Sequence, residues 1–235
     1  MDGNARPLFQ TDVTYVTASG SIVAAAGYSS DGINVVIWDT LAPPMTSRAS
    51  IMCHEGGARS ISVFDNDIGS GSVSPLIVTG GKSGDVGLHD FRYIATGRTK
   101  RHRHSDGFEQ NITASATTNM RNKNGDQNRN GMLWYIPKAH SGSITKISAI
   151  PNTSFFLTGS KDGDVKLWDA KKSKLVYHWP KLHDRHTFPQ PSSRGFGGVV
   201  RAAVTDIQIV SHGFLTCGGD GSVKMVWLQD FQQGV

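Results

Sequence analysis

Four side chains with the means to do chemistry lie close together in this sequence: His140, Thr158, Asp162 and Trp168. An imidazole beside a hydroxyl and a carboxylate has the composition of a hydrolytic relay, in which the histidine takes the hydroxyl proton and the carboxylate orients the ring. The same groups can equally close a hydrogen-bonded chain inside a β-structure. Burying any of them unpaired costs about 1–3 kcal/mol, so groups brought together on adjacent strands satisfy one another first. They read first as fold residues. Elsewhere no carboxylate pair, nucleophile–base pair or metal-spaced cluster rises above this pattern, so the sequence predicts no enzyme, no catalytic residue, no cofactor and no metal site.

The strands that must hold these groups are legible around them. Ile144, Ile147 and Ala149 stand at offsets of 0, +3 and +5 and read as an inner strand packed between neighbouring sheets. Phe155 to Thr158 is a second apolar strand, Asp162-Gly163 a hairpin turn, and Val165 to Trp168 a third strand. The same offsets recur at Val13/Val16/Ala18, Ala58/Ile61/Val63 and Val204/Ile207/Ile209. The four starts are separated by 45, 86 and 60 residues. A repeat of about 40–45 residues leaves insertions of roughly 40 and 15 in the second and third intervals.

The His-Ser-Gly opening at His140, the Thr-Gly-Ser-Lys-Asp-Gly turn and the closing Trp-Asp resemble a WD repeat. That resemblance implies an all-β, WD40-type β-propeller domain over residues 10–235, with four blades visible. Such propellers close with about seven blades, so the chain is expected to be the C-terminal part of a larger one. The other units depart from the best repeat. In the first, Ile22 to Gly27 and Val35 to Asp39 are strands, and Gly27 is placed where Thr158 stands. In the second, His54 and Thr79 match His140 and Thr158, Ser83 replaces the turn aspartate and His89 replaces the tryptophan. In the last, Thr216 and Asp220 match, Val226 takes the tryptophan position and Trp227 falls one place late. Gly81-Lys82-Ser83 is no phosphate loop, because Leu76 sits where its first glycine is required and a strand follows in place of a helix.

The chain has 235 residues, enough for a real core, and its 27 glycines suit many short strands joined by tight turns. Cys53 and Cys217 follow no metal spacing and read as reduced thiols. No signal segment or long apolar run is present, which disfavours secretion and membrane spanning. Of the net charge of +5, the tract 98–131 supplies most, with seven basic residues against three acids. Its few apolar residues predict a mobile insertion. Arg98, Lys100, Arg101 and Arg103 are its candidates for electrostatic contact with an acidic protein surface, anionic lipid or nucleic acid. With one aromatic, Phe108, it lacks the features of sequence-specific nucleic-acid recognition, and no partner completes a metal site around His102 and His104. The second insertion, 181–198, carries His183, His186, Phe188 and Phe196 and reads either as a binding loop or as a strap on the propeller face.

Two longer segments go beyond a generic repeat: SGSITKISAIPNTSFFLTGSKDGDVKLW at 141–168 and GFGGVVRAAVTDIQIVSHGFLTCGGDGSVK at 195–224. Together, in order, they resemble the C-terminal propeller of the DmX-like/rabconnectin family. That resemblance implies a non-catalytic scaffold promoting assembly of the vacuolar-type proton-pumping ATPase and acidification of vacuoles and endosomes. It further implies peripheral-sector pump subunits or co-assembly factors as partners, and a cytoplasmic protein peripheral to endosomal or vacuolar membranes. It brings no catalytic residues. Two other readings stand beside it: a substrate adaptor of another complex such as a ubiquitin ligase, and an RNA-associated factor binding through the basic insertion.

Overall fold

The computed structural model describes residues 12–28, 32–43, 48–64, 76–94, 130–184, 187–188, 198–199 and 203–228. They form antiparallel meanders, each a blade numbered from its inner strand outward. Blade 1 is β1 (Asp12–Ser19), β2 (Ile22–Tyr28), β3 (Val35–Asp39) and β4 (Arg48–Ile51). Blade 2 is β5 (Ala58–Val63), β6 (Leu76–Gly81), β7 (Val86–Ile94) and β8 (Asn130–Ile136). Blade 3 is β9 (Ile144–Ala149), β10 (Phe155–Ser160), β11 (Val165–Asp169) and β12 (Lys174–Trp179). A two-stranded ribbon, β13 (Thr187–Phe188) with β14 (Gly198–Val199), precedes blade 4, which is β15 (Val204–Val210), β16 (Gly213–Gly218) and β17 (Val223–Trp227).

The +3 step in the inner strands has a mechanical cause. A strand alternates faces every residue, so residues three apart should point oppositely. In all four blades a β-bulge follows the first residue of the set: Ile144 pairs with Ser160 but Lys146 with Gly159, leaving Thr145 unmatched. The same irregularity falls at Val13/Tyr15, Ala58/Ser60 and Val204/Asp206. The extra residue restores the phase, and Ile144, Ile147 and Ala149 share one face. Thr145 and Thr205, the extra residues of blades 3 and 4, each donate a hydroxyl bond of 3.0 Å to a carbonyl of the second strand, Gly159 O and Cys217 O.

That face packs on the preceding blade. Ala58 and Ile61 join Val35, Ile37 and Ile51 of blade 1, Ile144 and Ile147 join Val86 and Leu88 of blade 2, and Val204 and Ile207 join Leu157, Val165 and Leu167 of blade 3. The approach is close. A Cβ on Gly80 would lie 2.5 Å from Ile144 Cγ2, and one on Gly159 would lie 2.6 Å from Val204 Cγ1, so those two positions admit only glycine without repacking. Aromatic rings fill the periphery: Phe156 stacks on Trp134 and Trp168 at 6.1 and 6.4 Å and meets Phe64 edge-on at 6.2 Å. Inner strands are also stitched side by side, with Ile147 N donating to Ser60 Oγ at 2.9 Å and Ser148 Oγ donating to Ile207 O at 2.9 Å.

The structure corrects three placements. Ala25, not Gly27, takes the Thr158 position, because Ala25 pairs with Val16 as Thr158 pairs with Ile147. Asn130 and Gly131 belong to β8 rather than to the insertion. The first insertion is thereby confined between β7 and β8, the third and fourth strands of blade 2; residues 98–129 lie outside the described residues, and with them Arg98, Lys100, Arg101 and Arg103. The third correction concerns His183.

Candidate functional site

Blade 3 builds its polar chain from two strands, the turn between them and the loop before the blade. Trp168 Nε1 donates to Thr158 Oγ1 at 2.9 Å, and Thr158 Oγ1 lies 2.8 Å from His140 Nε2. On its other side His140 Nδ1 is 3.3 Å from Asp162 Oδ2. Asp162 sits in the β10–β11 turn and also accepts from Ser141 N at 2.9 Å, Ser141 Oγ at 3.1 Å, Gly142 N at 3.4 Å and Asp164 N at 3.0 Å. Burial pushes the His140 imidazole toward its neutral form, and Asp162 only partly opposes this. A neutral ring satisfies every link: Nδ1–H donates to the carboxylate, Nε2 accepts the threonine proton, and threonine accepts from the indole. Burial also raises the Asp162 carboxyl, but the His140 and Asp164 donors outweigh it and hold the group below the usual carboxylate range.

Blade 2 performs the same task with other residues. His54 Nε2 lies 2.8 Å from Thr79 Oγ1, and His89 Nε2, in the tryptophan register, lies 3.1 Å from the same oxygen. The carboxylate comes from Asp85, two residues beyond the Ser83 turn position, and its Oδ2 contacts His54 Nδ1 and accepts Tyr135 OH at 2.6 Å. Asp85 Oδ1 is buried with no hydrogen-bond partner among the described residues. Cys53 adds charge. Burial alone would raise its thiol, but His54 and then His89 hold it down at about 6. Burial opposes a protonated His54, yet the Cys53 thiolate and Asp85 hold that imidazole up at about 10. The Asp85 carboxyl stays low, because bonds from His54 and Tyr135 overcome its burial. Blade 2 thus keeps a charged histidine where blade 3 keeps a neutral one.

Blade 4 draws its histidine from an unexpected place. His183, assigned by sequence to the second insertion, is fully buried and completes this chain. Its Nε2 lies 2.9 Å from Thr216 Oγ1 and its Nδ1 3.0 Å from Asp220 Oδ1. Asp220 is held low against its burial by Ser222, through hydroxyl and backbone N–H, and by His183. The insertion therefore falls after the capping histidine. A signal for this was present: Pro180-Lys181-Leu182-His183 repeats Pro137-Lys138-Ala139-His140. The structure gives the two tetrapeptides the same backbone, with Lys138 and Lys181 at φ of 51° and 48°. Lys166 Nζ donates to Ala139 O at 2.6 Å and Lys224 Nζ donates to Leu182 O, an identical brace in successive blades. Each histidine also ties blades together, as His140 N donates to Gly84 O at 2.9 Å and His183 N to Gly163 O at 3.1 Å.

Of the residues singled out by sequence, the structure brings together His140, Thr158, Asp162 and Trp168 as one chain. His186 and Phe196 lie outside the described residues. No group of three or more His, Cys, Asp or Glu side chains suited to a metal ion occurs among the described residues. Gly81 ends β6, Lys82 and Ser83 form an exposed turn, and β7 follows, which is hairpin geometry.

Residues 132–169, from β8 through β11, match the family described as WD domain, G-beta repeat. Over 220 residues, 93% of its length, the chain is 25% identical to DmX-like protein 1 of Mus musculus and 24% identical to that of Homo sapiens. It spans about 6% of the length of each. Among solved structures, the computationally designed Ika4 protein aligns with a TM-score of 0.54 at 17% identity, over 93% of this chain and 92% of that one. The computationally designed Ika8 protein aligns with a TM-score of 0.51 at 18% identity, over 93% of this chain and 46% of that one.

Proposed function

We propose that this chain, a WD-repeat β-propeller protein related to the DmX-like proteins, is a non-catalytic protein-interaction scaffold serving assembly of the vacuolar-type proton-pumping ATPase. The observation that carries the scaffold reading is how the reactive side chains are used. His54, His140 and His183 each bind a threonine and an aspartate of their own blade, so groups that could do chemistry hold the sheets in place. The pump assignment is supported by the kinship with DmX-like protein 1 over 93% of the chain and by the role which that family resemblance implies. Its partners in this reading are peripheral-sector subunits or co-assembly factors, met in the cytoplasm at endosomal or vacuolar membranes. No helix among the described residues is long and apolar enough to cross a membrane, and the reading routes membrane contact through the complex.

Affinity purification of the tagged chain from cytosol and membranes, read by mass spectrometry, tests this. Peripheral-sector pump subunits are expected to be enriched. A folded bait that recovers a ubiquitin ligase instead overturns the pump assignment and leaves the scaffold. Recovery of RNA that weakens steeply with salt and vanishes on deletion of 98–129 overturns both in favour of an RNA-associated factor.

A further inference from the structure

Four lysines gather, unpaired, at one end of blades 2 and 3. In an antiparallel meander the turn after the second strand and the loop after the fourth lie at the same end of the sheet. Hydrogen bonds hold these segments side by side: Lys82 N donates to Gly57 O at 3.1 Å, His140 N to Gly84 O at 2.9 Å, and Lys161 N to Ser143 O at 3.0 Å. Lys82 and Lys161 occupy one position in successive turns, and Lys138 and Lys181 one position in successive loops. All four residues are exposed. Among the described residues none of their ammonium groups makes an ion pair. Lys138 and Lys181 also hold a left-handed backbone, at φ of 51° and 48°, where glycine or asparagine would sit with less strain.

The carboxylates of the same turns do not offset these charges. Asp162 is bound by His140, Ser141, Gly142 and Asp164. Asp164 accepts from Lys181 N at 2.8 Å and lies 2.7 Å from His178 Nε2. Asp85 and Asp220 are buried against their own histidines, with side chains 2% and 1% exposed. Glu55 and Asp184 stand exposed at the two sides of the group. The turns direct their acids inward and leave their cations in solvent.

We propose that this face binds an acidic, extended segment of a partner protein, with Lys82, Lys138, Lys161 and Lys181 pairing its carboxylates. Facing sheets stack about 10 Å apart and an extended chain rises about 3.3 Å per residue, so acids about three residues apart reach successive blades. The chemistry favours a peptide over nucleic acid. No aromatic ring occurs in the turns and loops that carry the lysines, 82–84, 137–142, 161–163 and 180–183, so bases find nothing there to stack on. Compact ammonium groups at separate points suit single carboxylates. The inference rests on the scaffold reading, to which it adds the chemistry of a partner, and is independent of the pump assignment.

The probe is a short fluorescent peptide with glutamate at every third position and serine or glycine between, mixed with the full chain. Carbodiimide cross-linking joins its carboxylates to the ammonium groups they meet. Mass spectrometry of the digest should find the new bonds concentrated at Lys82, Lys138, Lys161 and Lys181. In anisotropy titrations at low salt, Lys82→Gln with Lys161→Gln should weaken binding about tenfold, the upper range for two exposed ion pairs. Lys171→Gln with Lys174→Gln removes the same charge from the opposite end of blade 3, where both residues are exposed. That change should alter binding by less than about twofold. Cross-links concentrated in the basic tract 98–129 or at Lys171 and Lys174 overturn the proposal. So does equal loss in the two double variants, or tighter binding of polyuridylate than of the peptide through the four lysines. The titration needs no native partner. Affinity purification that recovers no protein partner, with peptide binding intact, counts against the scaffold reading alone, and recovered partners without peptide binding at this face count against this proposal alone.

Discussion

Blades 2 and 3 solve one problem with different chemistry. Both clamp a histidine between a threonine of the second strand and an aspartate near the following turn. Blade 3 uses the turn aspartate, a neutral imidazole and an indole donor. Blade 2 has serine at the turn, takes its carboxylate from Asp85, charges His54 beside Cys53 and substitutes His89 for the indole. The difference teaches that the fold requires a donor–acceptor circuit at a given place and tolerates wide variation in what supplies it. Blade 1 marks the limit: Ala25 occupies the threonine position, so no hydroxyl is available there, and apolar packing around Val35, Val36 and Ile37 takes over.

The sharpest way to break the comparison is at the turn. Asp162→Ala removes the acceptor of five donors, counting His140, two from Ser141, Gly142 and Asp164. It should cost about 3 kcal/mol in denaturant unfolding, the upper range for buried groups left unpaired. Ser83→Ala, at the same sequence position, loses one long exposed bond to Glu55 O and should stay within about 0.5 kcal/mol. Asp85→Ala should resemble Asp162→Ala. A large effect at Ser83, or none at Asp85, would mean that the carboxylate of blade 2 has been misplaced.

Most of the architecture was legible in the sequence because the repeat advertises it. The inner-strand offsets located β1, β5, β9 and β15, and the strand from Val35 to Asp39 has the limits read from its residues. Legibility failed where a function moved along the chain. His183 was hidden because the insertion separates it from Val204, although the repeated Pro-Lys-x-His tetrapeptide marked it. Asp85 was hidden because side-chain reach, not sequence offset, decides which carboxylate meets His54. His89 replaces the tryptophan in sequence, but only the structure shows that its ring nitrogen still reaches Thr79 Oγ1, at 3.1 Å. Gly27 was misaligned by two residues because blade 1 offers Ala-Ala-Ala-Gly, with no hydroxyl to set the register.

Proton linkage separates the blades next. Folding lowers the proton affinity of His140, so below about pH 6.5 the unfolded chain takes a proton that the folded chain refuses. Stability of blade 3 therefore falls as pH drops through that value, and falls again below about pH 4 as the unfolded form of Asp162 protonates first. Blade 2 exchanges protons in both directions. Cys53, lowered from 9.0 to about 6, sheds one on folding across that window, while His54, raised from 6.5 to about 10, takes one up across its own. The two cancel through neutrality. Hydrogen-exchange protection factors between pH 7 and 5 should therefore drop in β9–β11 by up to about tenfold per unit and stay level in β5–β7. Equal loss in both blades would show that His54 is neutral.

The smallest effect tests whether His89 is a true substitute. Trp168 keeps its stacking on Phe156 if replaced by phenylalanine, because the rings are 14° from parallel, so Trp168→Phe removes mainly the bond to Thr158. Combined with Thr158→Val in a double-mutant cycle, it should report a coupling of about 1 kcal/mol, the net worth of one such hydrogen bond. The matching cycle, His89→Phe with Thr79→Val, should give a similar value if the 3.1 Å contact does the same work. Blade 4 supplies the baseline: Val226 holds the tryptophan register and offers no donor to Thr216, so Val226→Ala with Thr216→Val should show coupling near zero. Equal coupling in blades 2 and 3 above that baseline identifies imidazole and indole as interchangeable partners of the threonine. Coupling at baseline in blade 2 alone makes His89 a filler of space, and the circuit around His54 then depends on Asp85 and Thr79.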